Sequence, residues 1–144
     1  MIIRAEYPDA HIVAKLAVQM WTSHSEEEMT EEFAGLLRRE DCAVFVSLDA
    51  GLPVGFAQCQ LRHDYVEGTD SSPVGYLEGI YVDAAYRRQG RAKALAAACE
   101  DWARKMGCSE FASDCELGNE ESIAMHRALG LEEKNRIVCF AKKL

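Results

Sequence analysis

The stretch Val74-Gly-Tyr-Leu-Glu-Gly-Ile-Tyr-Val82 runs through Asp83-Ala-Ala-Tyr-Arg87 into Arg88-Gln-Gly-Arg-Ala92. Apolar residues then recur at Ala92, Leu95, Ala96, Cys99, Trp102, Ala103 and Met106, and Gly107 follows. A short apolar run bounded by polar residues reads as a strand. Recurrence at intervals of three and four residues reads as one face of a helix, and a glycine just past its end is the usual left-handed stop. Glu110 to Ser113 then forms a short strand. A strand, a helix and a second strand in the same sheet make a parallel crossover, which is right-handed. That unit decides the fold class.

Working outward, residues 2 to 6 read as a strand, and Pro8-Asp9 opens a helix with Ile12, Val13, Leu16, Ala17 and Met20 on one face. A second helix starts after Ser25, where Glu26, Glu27 and Glu28 suit the positive end of the helix dipole and Met29, Phe33, Leu36 and Leu37 form the apolar stripe. Cys42 to Leu48 and Val54 to Leu61 are strands joined by the turn Asp49 to Pro53, an antiparallel hairpin, and residues 63 to 73 form a polar loop. Asn119 caps a helix running to Leu129, and Ile137 to Ala141 reads as a final strand. This order predicts an α+β sheet of mixed direction.

At 144 residues, with 49% apolar residues and only 3 prolines, the chain is expected to form a single domain over residues 1–144 with one self-supporting core. The formal net charge of −8 repels phosphate backbones and argues against nucleic acid as a partner. No stretch approaches the roughly 20 apolar residues of a membrane helix, and Met1 to Glu6 lacks the build of a signal peptide. A soluble, cytoplasmic protein without membrane partners is the expectation. The six cysteines show no Cys-x-x-Cys pair, so neither a disulfide framework nor a metal site is expected, and most should be small buried apolar residues.

The segment Arg87-Arg88-Gln89-Gly90-Arg91-Ala92-Lys93 lies where a strand gives way to the first turn of a helix. Amides of that turn have no intrahelical acceptor and sit at the positive end of the dipole, while Gly90 and Ala92 leave room for an anion to approach the backbone. From Tyr86 to Lys105 there are six basic and two acidic side chains, inside a strongly acidic chain. A diphosphate explains that concentration. The alternative is a helix with ordinary surface arginines.

Here the chain resembles the GCN5-related N-acetyltransferase (GNAT) superfamily. Arg87, Gly90 and Ala92 match its acyl-CoA signature, and Asn119, Ser122, His126, Gly130 and Leu131 resemble its second motif. The resemblance implies acetyl-CoA as co-substrate and no metal. The pyrophosphate would be held by amides of residues 88 to 93, and the pantetheine arm lined by Ile80, Tyr81 and Val82. It also implies a mixed central sheet of six to seven strands with about four helices, splayed between the strands at 75–82 and 110–113. Further runs, Arg62-His-Asp-Tyr-Val-Glu-Gly-Thr-Asp-Ser-Ser-Pro73, Leu77-Glu-Gly-Ile80, Ala112-Ser-Asp114 and Leu129 to Glu133, look like bacterial aminoglycoside 6'-N-acetyltransferases. That likeness implies an antibiotic-resistance enzyme and a homodimer, with Trp21, Tyr65, Glu78 and Asp114 facing the aminoglycoside. One departure is Asn135, where that group has an acidic residue before the last strand.

The chemistry suits these residue types. An aminoglycoside is a polycation, so its site should be acidic, and only a neutral amine attacks a thioester. A carboxylate answers both demands. Asp114 is preferred as the base and Glu78 as the amine-binding residue, with either able to act as the base. His126 stands where the superfamily places a tyrosine that protonates the departing thiolate, and it either does so or simply contacts the pantetheine. The oxyanion would meet a backbone N–H near Tyr81 or Val82. Taken singly, Asp114 reads more readily as a turn cap, Glu78 as a rim charge and Tyr65 as a loop aromatic; their shared place in the resemblance turns that reading round for Glu78 and Asp114. Two other readings of the whole chain stay open: transfer to a polyamine, an amino sugar or a protein N-terminus, and a non-catalytic acyl-CoA sensor.

Overall fold

The computed structural model, covering residues 1–144, has five strands and four α-helices. The strands are β1 (Ile2–Arg4), β2 (Cys42–Asp49), β3 (Leu52–Arg62), β4 (Val74–Val82) and β5 (Phe111–Ser113). The helices are α1 (Ala10–Ala17), α2 (Glu26–Leu36), α3 (Arg91–Lys105) and α4 (Glu120–Ala128), and 3-10 turns occupy Tyr7–Asp9 and Ala84–Tyr86. The sheet order follows the sequence, β1 to β5. β1 to β4 pair antiparallel, and β5 joins β4 in parallel through the α3 crossover.

Local chemistry explains each element. Valine, phenylalanine and leucine crowd β2, and Ala50-Gly51 makes the two-residue turn from Asp49 to Leu52. The Ser25 hydroxyl accepts from the Glu28 N–H at 3.1 Å to cap α2, and the Asn119 side chain accepts from the Ser122 N–H at 3.1 Å to cap α4. Both faces of the sheet are covered. On one, α1 and α2 bury Val13, Phe33, Val44, Val46 and Phe56; on the other, α3 buries Leu95, Cys99 and Trp102 against Ala57, Cys59 and Leu77. Four cysteines, Cys42, Cys59, Cys99 and Cys108, are buried and unpaired, while Cys115 and Cys139 are exposed.

Two expectations are corrected. The sheet has five strands, not six to seven, and Ile137 to Ala141 is not a strand. Residues 132 to 144 are exposed, with Val138 70% and Phe140 92% accessible. A strand exists only when a neighbour accepts its hydrogen bonds, and an alternating sequence cannot supply that neighbour. No helix is long and apolar enough to cross a membrane.

Two irregularities position the site. The β3–β4 register runs Gln58 to Gly79 and then Cys59 to Leu77, so Glu78 is an extra residue bulged from the ladder. The β4–β5 ladder has only three rungs and ends at Leu77 with Ser113. β4 continues to Val82 while β5 stops, so the sheet opens there. Glu78 and Asp114 are the first residues past the last rung.

Candidate active site

Arg62, at the end of β3, donates from Nε and Nη2 to Glu78 Oε1 at 3.0 and 2.9 Å, and from Nη2 to Oε2 at 2.9 Å. The same guanidinium lies 3.5 Å from the centroid of the Tyr76 ring. The Tyr76 hydroxyl in turn donates to Asp114 Oδ2, the one side-chain hydrogen bond that Asp114 makes. Tyr76 is held as a donor, because burial and then the bond to Asp114 push its phenol well above the usual tyrosine value. The four side chains Glu78, Arg62, Tyr76 and Asp114 form one chain across the mouth of the opening. Glu78 is already engaged by a cation, whereas Asp114 is exposed with Oδ1 free of protein partners.

Trp21 follows α1 and packs on Phe33 and Phe56, with ring centroids 6.4 and 6.1 Å away. Its indole lies against the backbone of Gly79, where a Cβ would come within 2.8 Å of Cη2. Trp21 therefore packs against β4 at the residue that follows Glu78. Tyr65 sits in the 63–73 loop, 78% exposed and making no hydrogen bond, so it does not join this cluster.

On the β5 side, His126 of α4 places Nε2 2.8 Å from the Ser113 hydroxyl. Its Nδ1 lies 2.7 Å from the Ser122 carbonyl, which only accepts, so Nδ1 carries a hydrogen. Ser113 also donates to the Leu77 carbonyl at 3.0 Å. With its proton on Leu77, the serine accepts from Nε2 and the ring carries both protons; turned to Nε2, it donates to a neutral ring. Ser113 thus stands between the imidazole and the opening, and His126 reaches the opening through it.

The turn after β4 leaves backbone amides free and open to approach. Arg88 and Gly90 have φ of 62° and 76°, the left-handed region that turns successive amides outward. Gly90 precedes α3 with no side-chain cap, and the first bond of the helix runs from Ala94 N–H to Gly90 C=O, leaving the amides of residues 91 to 93 without intrahelical acceptors. A Cβ at Gly90 would meet nothing within 4 Å, so the approach is open. Arg88 and Lys93 are exposed and make no ion pair. These features fit a diphosphate.

The other basic groups of this segment have structural partners. Arg87 donates to the Val82 carbonyl at 2.8 Å and pairs with Glu121 at 3.2 Å. Arg91 reaches Asp49 at 2.5 Å and also Ser47 and the Leu48 carbonyl, and its Nε meets the Gln89 side chain at 3.3 Å. Ile80 and Tyr81 are partly buried beside the opening, and the Tyr81 hydroxyl donates to Asp83 at 2.8 Å. The Asn119 carboxamide oxygen is committed to capping α4.

Sequence reasoning missed Arg62, Tyr76 and Ser113. Tyr76 carried a signal, lying two residues before Glu78 and so nominally on the same strand face. The other two depend on the β3–β4 and β4–β5 registers, which one sequence does not display.

An opened sheet beside a helix start with free amides fits an acyl-CoA-dependent acyltransferase. The profile of the acetyltransferase (GNAT) family matches residues 10–131, and the chain belongs to this family. It is 42% identical over 146 residues to aminoglycoside N(6')-acetyltransferase type 1 of Stenotrophomonas maltophilia, covering 99% of this chain and 93% of that protein. Among solved structures, aminoglycoside N-acetyltransferase AAC(6')-Iy in complex with CoA superposes with a TM-score of 0.96 at 36% identity, covering 100% of this chain and 95% of that one. The same enzyme with the bisubstrate analog CoA-S-monomethyl-acetylneamine gives 0.95 at 36% identity, covering 100% and 98%.

Proposed function

We propose that this protein is an acetyl-CoA-dependent aminoglycoside 6'-N-acetyltransferase acting by direct attack of the amine on the thioester, and that it confers resistance by this reaction. The observation that carries the reading is the pair of carboxylates, Glu78 and Asp114, immediately past the last rung of a sheet that opens toward an anion-binding turn. The 6' position and the aminoglycoside class come from the relatives' names and the neamine-derived analog of AAC(6')-Iy.

The roles follow from the contacts. The amides of residues 88 to 93, with the Arg88 and Lys93 side chains, hold the diphosphate, and Ile80, Tyr81 and Val82 line the pantetheine arm. Glu78, Trp21 and the acidic loop carrying Tyr65 bind the polycation. Asp114 is the base, because its Oδ1 is free while both Glu78 oxygens face Arg62. The ammonium yields one proton to Asp114, the nitrogen forms the C–N bond, and the C–S bond breaks. The nitrogen's second proton passes to solvent water as the amide forms, the thiolate gains one from His126 by way of Ser113, and exchange with water then deprotonates Asp114 and reprotonates His126. Cys115 is not required as an acyl carrier.

The reading extends to the whole chain. One catalytic domain spans residues 1–144, works in the cytoplasm and forms a homodimer. The dimer is supported by the exposed Ile137, Val138 and Phe140 and by β5 as the terminal strand of the sheet, which together let the segment of one copy lie against a second.

The test is an amine panel with acetyl-CoA: a neamine-type aminoglycoside, a polyamine, an amino sugar and a peptide N-terminus. Acetylation of the aminoglycoside 6'-amine with the highest kcat/KM is expected, and Asp114→Ala should lower that value at least about 10²-fold. Preference for another amine, CoA binding without turnover, or a fully active Asp114→Ala would each overturn the reading.

A further inference from the structure

Asp114 follows a three-residue strand and is exposed, so nothing in its local backbone fixes the rotation of its carboxyl group. A base works only if one lone pair is held within about 3 Å of the proton it takes. The structure contains one restraint on that rotation, the Tyr76 hydroxyl on Oδ2.

Tyr76 is itself rigid. It is 6% exposed and packs with Val66, Val74 and Ala112. Its ring face is covered by the Arg62 guanidinium, which the bidentate bond to Glu78 holds in place. A phenol has one hydrogen, and a carboxylate has no hydrogen to give back, so the bond has a fixed direction. It ties Oδ2 to the sheet and leaves Oδ1 as the oxygen facing outward.

We propose that Tyr76 is a positioning residue for proton removal from the acceptor amine: its hydroxyl anchors Oδ2 of Asp114 and thereby presents Oδ1 to the substrate. The proposal rests on the assignment of Asp114 as the base. It assigns to Tyr76 no contact with either substrate. Its hydroxyl acts on turnover through Asp114 alone, while its ring serves packing and supports Arg62.

The two contributions separate in Tyr76→Phe, which keeps the ring, the Arg62 contact and the buried cluster. The experiment compares wild type, Tyr76→Phe, Asp114→Asn and the double variant as purified full-length enzymes, with acetyl-CoA and a neamine-type aminoglycoside. Expected for Tyr76→Phe are a fall in kcat of about 10-fold, an unchanged KM for acetyl-CoA, and a Tm lowered by no more than about 5 °C. Asp114→Asn should lose at least about 10²-fold in kcat/KM. In the Asp114→Asn background, Tyr76→Phe should change kcat less than about 2-fold, because a residue acting through a missing group has nothing left to position.

A merely structural tyrosine would cost the same factor in both backgrounds, and that additivity would overturn the proposal. So would a Tyr76→Phe enzyme with wild-type kcat. If Asp114→Asn itself turns over normally, the base assignment fails and this inference falls with it, an outcome distinct from additivity on top of an Asp114→Asn defect.

Discussion

Replacing Gly79 by alanine tests how the substrate wall is built. A Cβ placed on Gly79 would lie 2.8 Å from Cη2 and 2.9 Å from Cζ2 of Trp21, and 3.2 Å from the Met20 methyl. Carbon atoms settle at about 3.5 to 4.0 Å, so the indole must retreat by about 0.7 Å or more. It has little room, being packed on Phe33 and Phe56, while the Trp21 backbone N–H is bonded to the Ala17 carbonyl at 2.8 Å. Overpacking of this kind costs about 1–3 kcal/mol, which for a domain of this size lowers Tm by about 2–12 °C. The displaced ring borders Glu78, so KM for the aminoglycoside should rise about 5- to 10-fold, the equivalent of one aromatic contact, while KM for acetyl-CoA stays unchanged. Calorimetry gives the first quantity and steady-state kinetics the second. Adding Trp21→Phe, which shortens the ring, should recover part of the lost Tm. Wild-type Tm and wild-type amine KM in Gly79→Ala would refute the close contact between indole and strand and the role built on it.

Other outcomes follow from the turn and the core. Changing Arg88 and Lys93 together to alanine should raise KM for acetyl-CoA by about 5- to 30-fold at low salt, roughly 1 kcal/mol per exposed charge, and should flatten the salt dependence of that KM. Arg91→Ala should behave differently, lowering Tm because the side chain ties α3 to Ser47, Leu48 and Asp49, with a smaller effect on acetyl-CoA. Burial pushes the Cys42 thiol up to about 11. The unfolded thiol ionises near 8.5, so the unfolded chain releases a proton that the folded one keeps, and stability falls as pH rises from about 9 to 11. Thermal melts across that range should decline less steeply in Cys42→Ala.

Much of the site was legible because it follows chain order. The 74–107 segment announces strand, turn and helix by period alone, and the anion turn needs only Gly90 and the free amides that any helix start provides. Glu78 and Asp114 were singled out through a resemblance spread along the sequence, and the structure brings both to the end of the β4–β5 ladder. Their unequal engagement was not legible. Glu78 is bidentate with Arg62, sixteen residues away, and Asp114 meets Tyr76, thirty-eight residues away. The charges counted in the turn also divided unexpectedly. Arg87 and Arg91 serve the fold, because the ends of β4 and β2 bring carbonyls and carboxylates within their reach.

By itself the sequence determined the four helices, the strands β1 to β5 and the crossover, because period and capping are local properties of a chain, while the acidic character of the pocket was read from the resemblance. Tertiary structure alone decided three things. It bulged Glu78 out of register, ended the β4–β5 ladder at Leu77 and Ser113, and left Ile137 to Ala141 without a strand to pair with. Each of these turns on which backbone lies next to which, and hydrogen-bond pairing between strands is a relation between distant segments that no stretch of residues carries alone.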